Sequence, residues 1–264
     1  IDFGDDTGAA ETIEGFGLAS STRAVFGGGQ SVSNKMEYVT IATTSNTTDF
    51  GDLTAGRRSG CGMSNQTRGV IAGGFAPGAS DIMDYITIAA TGNATDFGDL
   101  TTATAESAGF ASPTRGIIAG GNTSPTVVNT IEYITIATTG DATNFGDLTV
   151  AQMAAGGSSS ITRGLIMGGM RPANNVTIDY VTIASAGNAT DFGDLNVARG
   201  YNGAVSNSIR GVTAGGNANP VALNTNSIEY VDIATTGNAQ DFGDLLVATR
   251  VIHGASDSHG GLSE

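Results

Sequence analysis

The triplet Asp-Phe-Gly is the first feature of this sequence that could carry chemistry, because in protein kinases its aspartate binds magnesium. A kinase also needs a glycine-rich phosphate loop, a lysine on a later strand and a His-Arg-Asp segment. The only lysine is Lys35, and His-Arg-Asp is absent. The triplet, with Asn replacing Asp once, recurs at intervals of 47 to 50 residues, with its aromatic residue at Phe3, Phe50, Phe97, Phe145, Phe192 and Phe242. An active-site motif does not occur six times, so the triplet indicates a structural repeat.

The remaining reactive side chains do not form a catalytic set. The two histidines, His253 and His259, share one short C-terminal segment, which cannot supply both a metal site and an acid–base pair from across a fold. Cys61 is the only cysteine, so an internal disulfide is excluded, and the small residues at its equivalent positions indicate a buried filler. We therefore predict no catalytic residue and no enzyme activity.

A calcium site is the one cofactor interpretation that the sequence leaves open. Asn93, Asp96 and Asp99 place side-chain oxygens at intervals of three residues, and calcium takes six to eight oxygen ligands. No loop has the dense Asp/Asn pattern and terminal Glu of a dedicated calcium site. We expect these side chains to form turn hydrogen bonds and to discourage pairing at the outer strand edge.

Composition excludes several classes of partner. The formal net charge of −14 and the pI near 4.2 oppose binding to nucleic acid or to anionic membranes. No apolar run approaches the roughly 18 residues of a membrane-spanning helix. The 40 glycines indicate many tight turns. The sequence begins at Ile1 without a methionine, as expected of a processed chain or of a fragment of a longer one.

Each repeat reads as four short strands separated by turn residues, as in "TRGIIAGG" and "TIEYITIATTG" of the third copy. In the latter strand, Ile131 and Tyr133 face one side while Ile134 and Ile136 face the other, so the strand must be covered on both faces. A radial stack of four-stranded sheets provides that cover, whereas the coils of a β-solenoid are usually shorter than about 30 residues. The sequence therefore predicts an all-β fold, a β-propeller.

We expect one domain over residues 1–264, with units at about 4–50, 51–97, 98–145, 146–192 and 193–245, and residues 246–264 as a closing strand. Five blades are favoured. The alternative is a partial sixth blade, begun by the C-terminal tail and completed by the N-terminal stub.

Two repeated side chains have predicted structural roles. Alternation along the fourth strand points the repeated phenylalanine into the gap between blades, as an apolar wedge. The predicted wedges are Phe50, Phe97, Phe145, Phe192 and Phe242. An arginine leads into every second strand, and we expect it to pair across strands with the acidic residue of the third strand. These arginines are Arg23, Arg68, Arg115, Arg163 and Arg210. A positively charged ring that binds an anionic ligand is the alternative interpretation of the same residues.

The double glycine, the Glu132-Tyr133 pair in strand three and the aromatic residue in strand four resemble the kelch-type propeller repeat, although kelch repeats usually have tryptophan where this chain has phenylalanine. The combination of "IEYITIATTG" with "NATDFGDL" and "TRGVIAGG"-like strands is also similar to repeats of marine phage virion and tail-fibre proteins, including those of cyanophages. This resemblance implies a structural or attachment role, in a virion or outside the cell, with other virion proteins or a host-surface glycan or protein as partners. The alternative is a secreted carbohydrate-binding propeller.

The loops after the second and fourth strands differ most between copies, and alternating strand directions place them on one face. Loops on a rigid scaffold are where recognition usually occurs, so we predict a binding site on this face. The candidate residues are Arg57, Arg58, Phe75, Asn122, Met170, Arg171, Asn174, Arg199, Tyr201 and Asn219.

Overall fold

The structure, a computed structural model, describes residues 3–5, 14–218 and 223–256. All regular secondary structure in these residues is β-strand, arranged as five antiparallel sheets with four main strands each. The sheets are the blades of a β-propeller, which confirms the predicted fold class and the five complete blades. The described part of the chain contains no helix that could cross a membrane.

The blades follow one another along the chain. Blade 1 contains β1 (Gly15–Ala19), β2 (Arg23–Gly28), β3 (Lys35–Thr40) and β4 (Thr48–Asp52). Blade 2 contains β5 (Cys61–Ser64), β6 (Arg68–Ala72), β7 (Ile82–Thr87) and β8 (Thr95–Asp99). Blade 3 contains β9 (Ala108–Ala111), β10 (Arg115–Asn122), β11 (Val127–Thr135) and β12 (Thr143–Asp147).

Blades 4 and 5 have the same four strands with short additions. Blade 4 contains β13 (Gly156–Ser159), β14 (Arg163–Met167), the short β15 (Met170–Arg171), β16 (Ala173–Thr182) and β17 (Thr190–Gly200). Blade 5 contains β18 (Gly203–Ser206), β19 (Arg210–Ala214), the short β20 (Asn217–Ala218) and β21 (Leu223–Asn224), then β22 (Ser227–Asp232) and β23 (Gln240–Asp244). The end of β17 pairs with β20, which joins these two blades on one face.

The first strand of each blade lies next to the first strands of its neighbours, around the central axis. The Oγ of Ser64 donates to the carbonyl of Ala19 at 2.7 Å, and the Oγ of Ser159 donates to that of Ala111 at the same distance. The strands approach closely because small residues stand at the contact: a Cβ on Gly157 would lie 2.6 Å from the carbonyl oxygen of Gly109. Small residues on the inner strands therefore set the diameter of the ring.

The C-terminal segment 251–256 occupies a sixth position in this inner ring. A Cβ on Gly17 would meet the carbonyl oxygen of Gly254 at 2.9 Å, and the backbone N–H of Ser206 donates to the Oγ of Ser256 at 3.3 Å. The tail therefore lies between blade 5 and blade 1 at the axis, as the partial sixth blade of the alternative prediction would place it. Residues 257–264 of the predicted closing strand, with His259, lie outside the described residues.

The double glycine after each second strand joins its blade to the loop that follows the fourth strand of the same blade. Both glycines have positive φ in all five copies, between 61° and 129°, where a side chain would be strained. The N–H of the second glycine donates to a loop carbonyl at the same repeat position each time, as from Gly121 to Gln152 and from Gly169 to Arg199, both at 2.8 Å. A residue without a Cβ at these positions lets the loop backbone approach the second strand closely.

The repeated phenylalanine is the wedge between blades in four of five copies. Phe97 is buried with Ile134 and Ile136 of blade 3, and Phe145 with Ile166 and Val181 of blade 4. Each phenylalanine is the extra residue of a β-bulge, since β11 pairs Ile131 with Gly146 and Glu132 with Asn144. The bulge aims the ring at the next blade.

The prediction that Phe242 is the fifth wedge is wrong, because Phe242 is 56% exposed, whereas its four equivalents are 2% or 3% exposed. Nothing in the described part of the chain packs where the second and third strands of a following blade would lie. The ring of Phe242 contacts Tyr230 of its own blade, with ring centroids 5.8 Å apart.

We predict that Phe97→Ala lowers the free energy of unfolding by about 3–5 kcal/mol, because it removes a buried ring from the contact between blades. Phe242→Ala is the matched control at the same repeat position. It should cost at most about 1.5 kcal/mol, the range of a single aromatic contact. Chemical denaturation of both variants measures the difference. Equal losses would show that the wedge is not what holds the blades together.

Candidate binding face

The loop face consists of the connections that follow the second and fourth strands. It comprises residues 29–34, 73–81, 123–126, 168–172 and 215–218 after second strands, and 53–60, 100–107, 148–155, 201–202 and 245–250 after fourth strands. Backbone pairs tie the two sets together, as between Arg58 and Phe75, Ala105 and Asn122, and Met153 and Met170. Loops that are paired to each other hold their side chains in fixed positions.

Six residues form an axial ring where this face meets the central axis. Each is a non-glycine residue with φ between 55° and 64°, and all but one follow the leucine of Phe-Gly-Asp-Leu by six residues. The ring comprises Glu14, Ser59, Glu106, Ala154, Tyr201 and Val251. From Ser59 onward, each backbone N–H donates to the carbonyl of the preceding member, as Tyr201 does to Ala154 at 2.8 Å. The ring surrounds the mouth of a central cavity of about 120 Å³.

Four of the six ring positions carry polar side chains, which are Glu14, Ser59, Glu106 and Tyr201. The Arg58 guanidinium lies 2.6 Å from Glu14 Oε2 and stacks over the Phe75 ring at 4.9 Å. The Tyr201 hydroxyl donates to Glu106 Oε1 at 3.2 Å. The second oxygen of Glu106, Oε2, is buried without a hydrogen-bond partner among the described residues. An acceptor without a partner among the described residues therefore lies buried beside the Tyr201 hydroxyl.

Burial shifts the pKa values of two of these groups, Glu106 and Tyr201. It raises the pKa of Glu106 above the usual 4.5, although the hydrogen bond from Tyr201 opposes the shift. Burial and the nearby Glu106 carboxylate raise the pKa of Tyr201 to about 12. The tyrosine is therefore a hydrogen-bond donor and not a base at neutral pH.

Arg57 and Arg199 were predicted to belong to the binding surface, but the structure buries both. Their side chains are 2% and 0% exposed, and each forms a buried ion pair, Arg57 with Asp84 at 2.9 Å and Arg199 with Glu229. These arginines turn inward from the loops and connect them to the third strand of the blade. They stabilise the scaffold and do not face a ligand.

The other candidates lie on or beside the loop face. Tyr201 lines the central cavity, Arg58 pairs with Glu14 of the axial ring, and Phe75 packs on Arg58. Met170, Arg171 and Asn174 lie together in blade 4, where β15 pairs with the start of β16. Asn174 donates to the carbonyl of Asn217 in blade 5, and Asn122 accepts from the backbone of Ser124 within its own loop. Asn219 lies outside the described residues.

Glu14, Ser59 and Glu106 are functional candidates that the sequence interpretation missed. Their loops do not look alike, and only the constant spacing of six residues from the leucine of Phe-Gly-Asp-Leu marks Ser59 and Glu106 as equivalent to Tyr201. Aligning the copies on that leucine would have revealed the position. Glu14 follows residues outside the described part of the chain, so its equivalence comes from its φ and its place in the ring.

The predicted pairing of the repeated arginine with the acidic residue of the third strand is wrong. The guanidinium of Arg68 stacks on Tyr85 at 4.4 Å and donates to the carbonyl of Ile136 in the next blade at 3.0 Å. Arg23, Arg115 and Arg163 make the same two contacts in their blades. These contacts lie within and between blades, so the arginines do not form an open positive ring.

The acidic residue of the third strand faces the loop that enters its blade. Asp84 accepts hydrogen bonds from the backbone N–H and the hydroxyl of Thr54, at 3.2 and 2.6 Å. Asp179 is bound in the same way by Thr149, and Glu132 by Thr101. Strand alternation gave the correct spacing of these residues but not the neighbour that each one meets.

One of the oxygens considered for calcium, that of Asn93, is used in a contact between blades. Asn93 Oδ1 accepts from the backbone N–H of Asp52 in the preceding blade at 3.0 Å. The described residues contain no group of three or more His, Cys, Asp or Glu that could hold a metal. Cys61 is buried against the first strand of the ring, and burial raises the pKa of its thiol to about 12.

Two comparisons with known proteins identify no similar protein. A scan against protein-family models gives no match, and a search of curated proteins finds no similar chain. The fold is established by the geometry of the blades, and the function is inferred from the residues of the loop face.

We predict that Arg57→Ala costs about 3–5 kcal/mol of folding free energy, because it leaves the Asp84 carboxylate buried without its cation. Gln152→Ala is the matched control, since Gln152 has the same repeat position in blade 4 without an ion pair, and it should cost about 1 kcal/mol. Chemical denaturation compares the two variants. If they lose the same stability, the buried ion pair has no special role.

Glu106→Gln should make stability less dependent on pH. Because folding raises the Glu106 pKa, the stabilising contribution of its protonated form is present below the unfolded-state pKa and lost as pH rises through the folded-state pKa. The amide keeps an acceptor for Tyr201 and carries no charge. We expect a higher Tm than wild type at pH 7 and an equal Tm well below pH 4.5.

Glu14→Gln is the control for this comparison, because it removes an ion pair with Arg58 and should not raise the Tm at pH 7. Differential scanning calorimetry across the pH range measures both variants. A wild-type protein more stable than Glu106→Gln at pH 7 would contradict the assigned burial effect.

Proposed function

We propose that this protein is a non-enzymatic recognition module of a phage virion or tail fibre, and that its loop face attaches to the target. The resemblance of its repeats to kelch-type repeats and to marine phage virion repeats supports the assignment to a virion. The surface proposed to bind consists of Glu14, Glu106 and Tyr201 of the axial ring, together with the adjacent Arg58 and Phe75.

The observation that carries this proposal is the contrast between the two faces. On the opposite face, the turn after the third strand is nearly constant in sequence because it packs on the preceding blade, as Asn93 does on Asp52. On the loop face, the contacts that hold the loops use backbone groups such as the Gly121 N–H and the Gln152 carbonyl. Side chains on these loops that make no buried contact can vary without cost to the fold, as a recognition surface requires.

The chemistry of the mouth suits a polar ligand. Glu106 Oε2 is an acceptor with no partner in the described residues, Tyr201 and Ser59 carry hydroxyls, and Arg58 presents a cation stacked on an aromatic ring. Contacts among these groups hold them in fixed positions. A ligand hydroxyl or amide would replace some of those contacts without moving the side chains far. Preorganisation of this kind lowers the entropic cost of binding.

The carbohydrate-binding alternative rests on the same groups. Sugar hydroxyls are bound by carboxylates, hydroxyls and amides beside aromatic rings, and Glu106, Tyr201 and Phe75 present that combination at the mouth. In this alternative the protein is a secreted lectin and not a particle component. A glycan array distinguishes the two, because only the lectin requires a soluble glycan ligand.

We predict that the fluorescently labelled protein binds intact cells of cultured marine bacteria, including cyanobacteria, and that Arg58→Ala combined with Phe75→Ala weakens this binding at least about tenfold. Thr91→Ala, exposed in the constant turn on the opposite face, is the matched control and should bind like wild type. Flow cytometry measures cell binding, and mass spectrometry of purified cyanophage particles tests for peptides of this chain.

Binding to no cell type, or equal binding by the double variant and wild type, would refute the assignment of the loop face. Glycan-array binding together with absence from purified particles would replace the virion proposal with the lectin alternative. Turnover of an added substrate that the double variant loses would overturn the non-enzymatic proposal.

A further inference from the structure

The propeller has six positions around its axis but five complete blades. At the sixth position, segment 251–256 supplies the inner strand position, and Phe3–Asp5 supplies the outer one. The backbone N–H of Asp5 donates to Asn46 Oδ1 of blade 1 at 2.9 Å. The N–H of Asp147, at the end of the fourth strand of blade 3, donates in the same way to Asn188 Oδ1 of blade 4 at 3.1 Å. The N-terminal stub therefore lies where the fourth strand of a blade preceding blade 1 belongs.

A sixth-position cleft lies between these two segments, where the second and third strands of a blade would be. The part of it that lies against blade 1 is a cavity of about 550 Å³, lined by Phe3, Phe26, Val39, Thr249, Ile252 and His253, among others. The described residues thus frame an incomplete blade that has an inner and an outer edge.

Both walls of the cleft expose apolar positions that every other contact between blades buries. On the blade 5 wall, Phe242 is 56% exposed against 2% or 3% for its four equivalents. On the blade 1 wall, Ile41 is 44% exposed, whereas its equivalents Ile88, Ile136, Ile183 and Ile233 are at most 1% exposed. The walls are therefore the two halves of a contact that the chain makes four times elsewhere.

Arg210 gives an independent indication from polar groups. The guanidiniums of Arg23, Arg68, Arg115 and Arg163 each donate to an isoleucine carbonyl of the following blade. Arg210 stacks on Tyr230 in the same way, yet in the described residues it makes no such contact and lies 3.6 Å from Asp232. A donor thus stands at the cleft in the position that elsewhere binds the backbone of a third strand.

We propose that the sixth-position cleft binds a β-hairpin supplied by another polypeptide, with the apolar pattern of this repeat's second and third strands. The hairpin would pair with segment 251–256 on one edge and with Phe3–Asp5 on the other. Aliphatic residues equivalent to Ile134 and Ile136 would cover Phe242, and a carbonyl would accept from Arg210. The four complete contacts between blades specify this occupant, because the cleft continues their surfaces in the same register.

This inference does not depend on the ligand proposed for the loop face. It concerns the edge of the ring, where main-chain pairing would give affinity and the aliphatic side chains would give specificity. A second copy of this chain is a different occupant, and it has no unpaired hairpin of this kind among its described residues. Dimerisation is therefore an outcome that the experiment separates from hairpin binding.

The test uses the whole chain and a fluorescent synthetic peptide with the sequence of residues 114–140, which contains β10, β11 and their connection. We expect saturable binding by fluorescence anisotropy, with one peptide per protein and a rise in Tm. The control peptide carries Ile134→Asp and Ile136→Asp and should bind at least about tenfold more weakly.

Protein variants locate the site. Phe242→Asp and Ile41→Asp, on opposite walls, should each weaken peptide binding about tenfold or more. Leu223→Asp, at an exposed apolar residue of β21 away from the cleft, should not. No binding of the native peptide, or equal binding by the wall variants and wild type, would overturn the proposal. So would light scattering that shows a dimer which dissociates on Phe242→Asp and excludes the peptide.

Discussion

A stack of three side chains and a carbonyl joins each of blades 1 to 4 to the next blade, and the propeller depends on it. In blade 1, Arg23 lies over the Tyr38 ring at 4.5 Å, and Phe50 meets the same ring edge-on at 5.9 Å. Arg23 and Phe50 both reach blade 2, the first through the Ile88 carbonyl and the second through apolar packing. A buried ring of this size contributes roughly 1.5–3 kcal/mol, and the cation adds about 0.5–1 kcal/mol.

Because each blade is covered mainly by its neighbour, its third strand must be apolar on both faces, and the turn after that strand is restricted as well. In that turn of blade 2, the Gly92 N–H donates to the Phe50 carbonyl of blade 1, and Asn93 Oδ1 accepts from the Asp52 N–H of blade 1. The loop face is less restricted, since backbone atoms make many of its contacts between blades, and side chains such as Arg57 make the others. One constraint therefore explains both the constant turn and the variable loops.

The parts of the fold that could be predicted are those that repeat with fixed residue types. The period, the double glycine and the phenylalanine specify four strands and a tight exit, and the two-sided third strand specifies stacked sheets. Arg57 could not be assigned in the same way, because its position holds Thr, Gln or Arg in other copies and only the facing Asp84 draws it inward. Phe242 and the axial residues depend on the neighbouring blade, which the alternation along one strand does not specify.

The junction between blades 5 and 1 differs in kind from the other four. In a closed propeller each blade has two neighbours, and stability is approximately a sum of contacts between adjacent units. Here the stack of blade 5 ends at Arg210 and Phe242. The described contacts across the junction are therefore of two kinds. Segment 251–256 contacts Gly17, Ala204 and Ser206, and the N-terminal stub contacts Asn46 and Thr47. These are mostly backbone contacts with little apolar burial, and local opening in proteins begins where buried apolar contact is least. Blades 5 and 1 are consequently the pair that separates first, and any strand that fills the cleft between them also closes the ring.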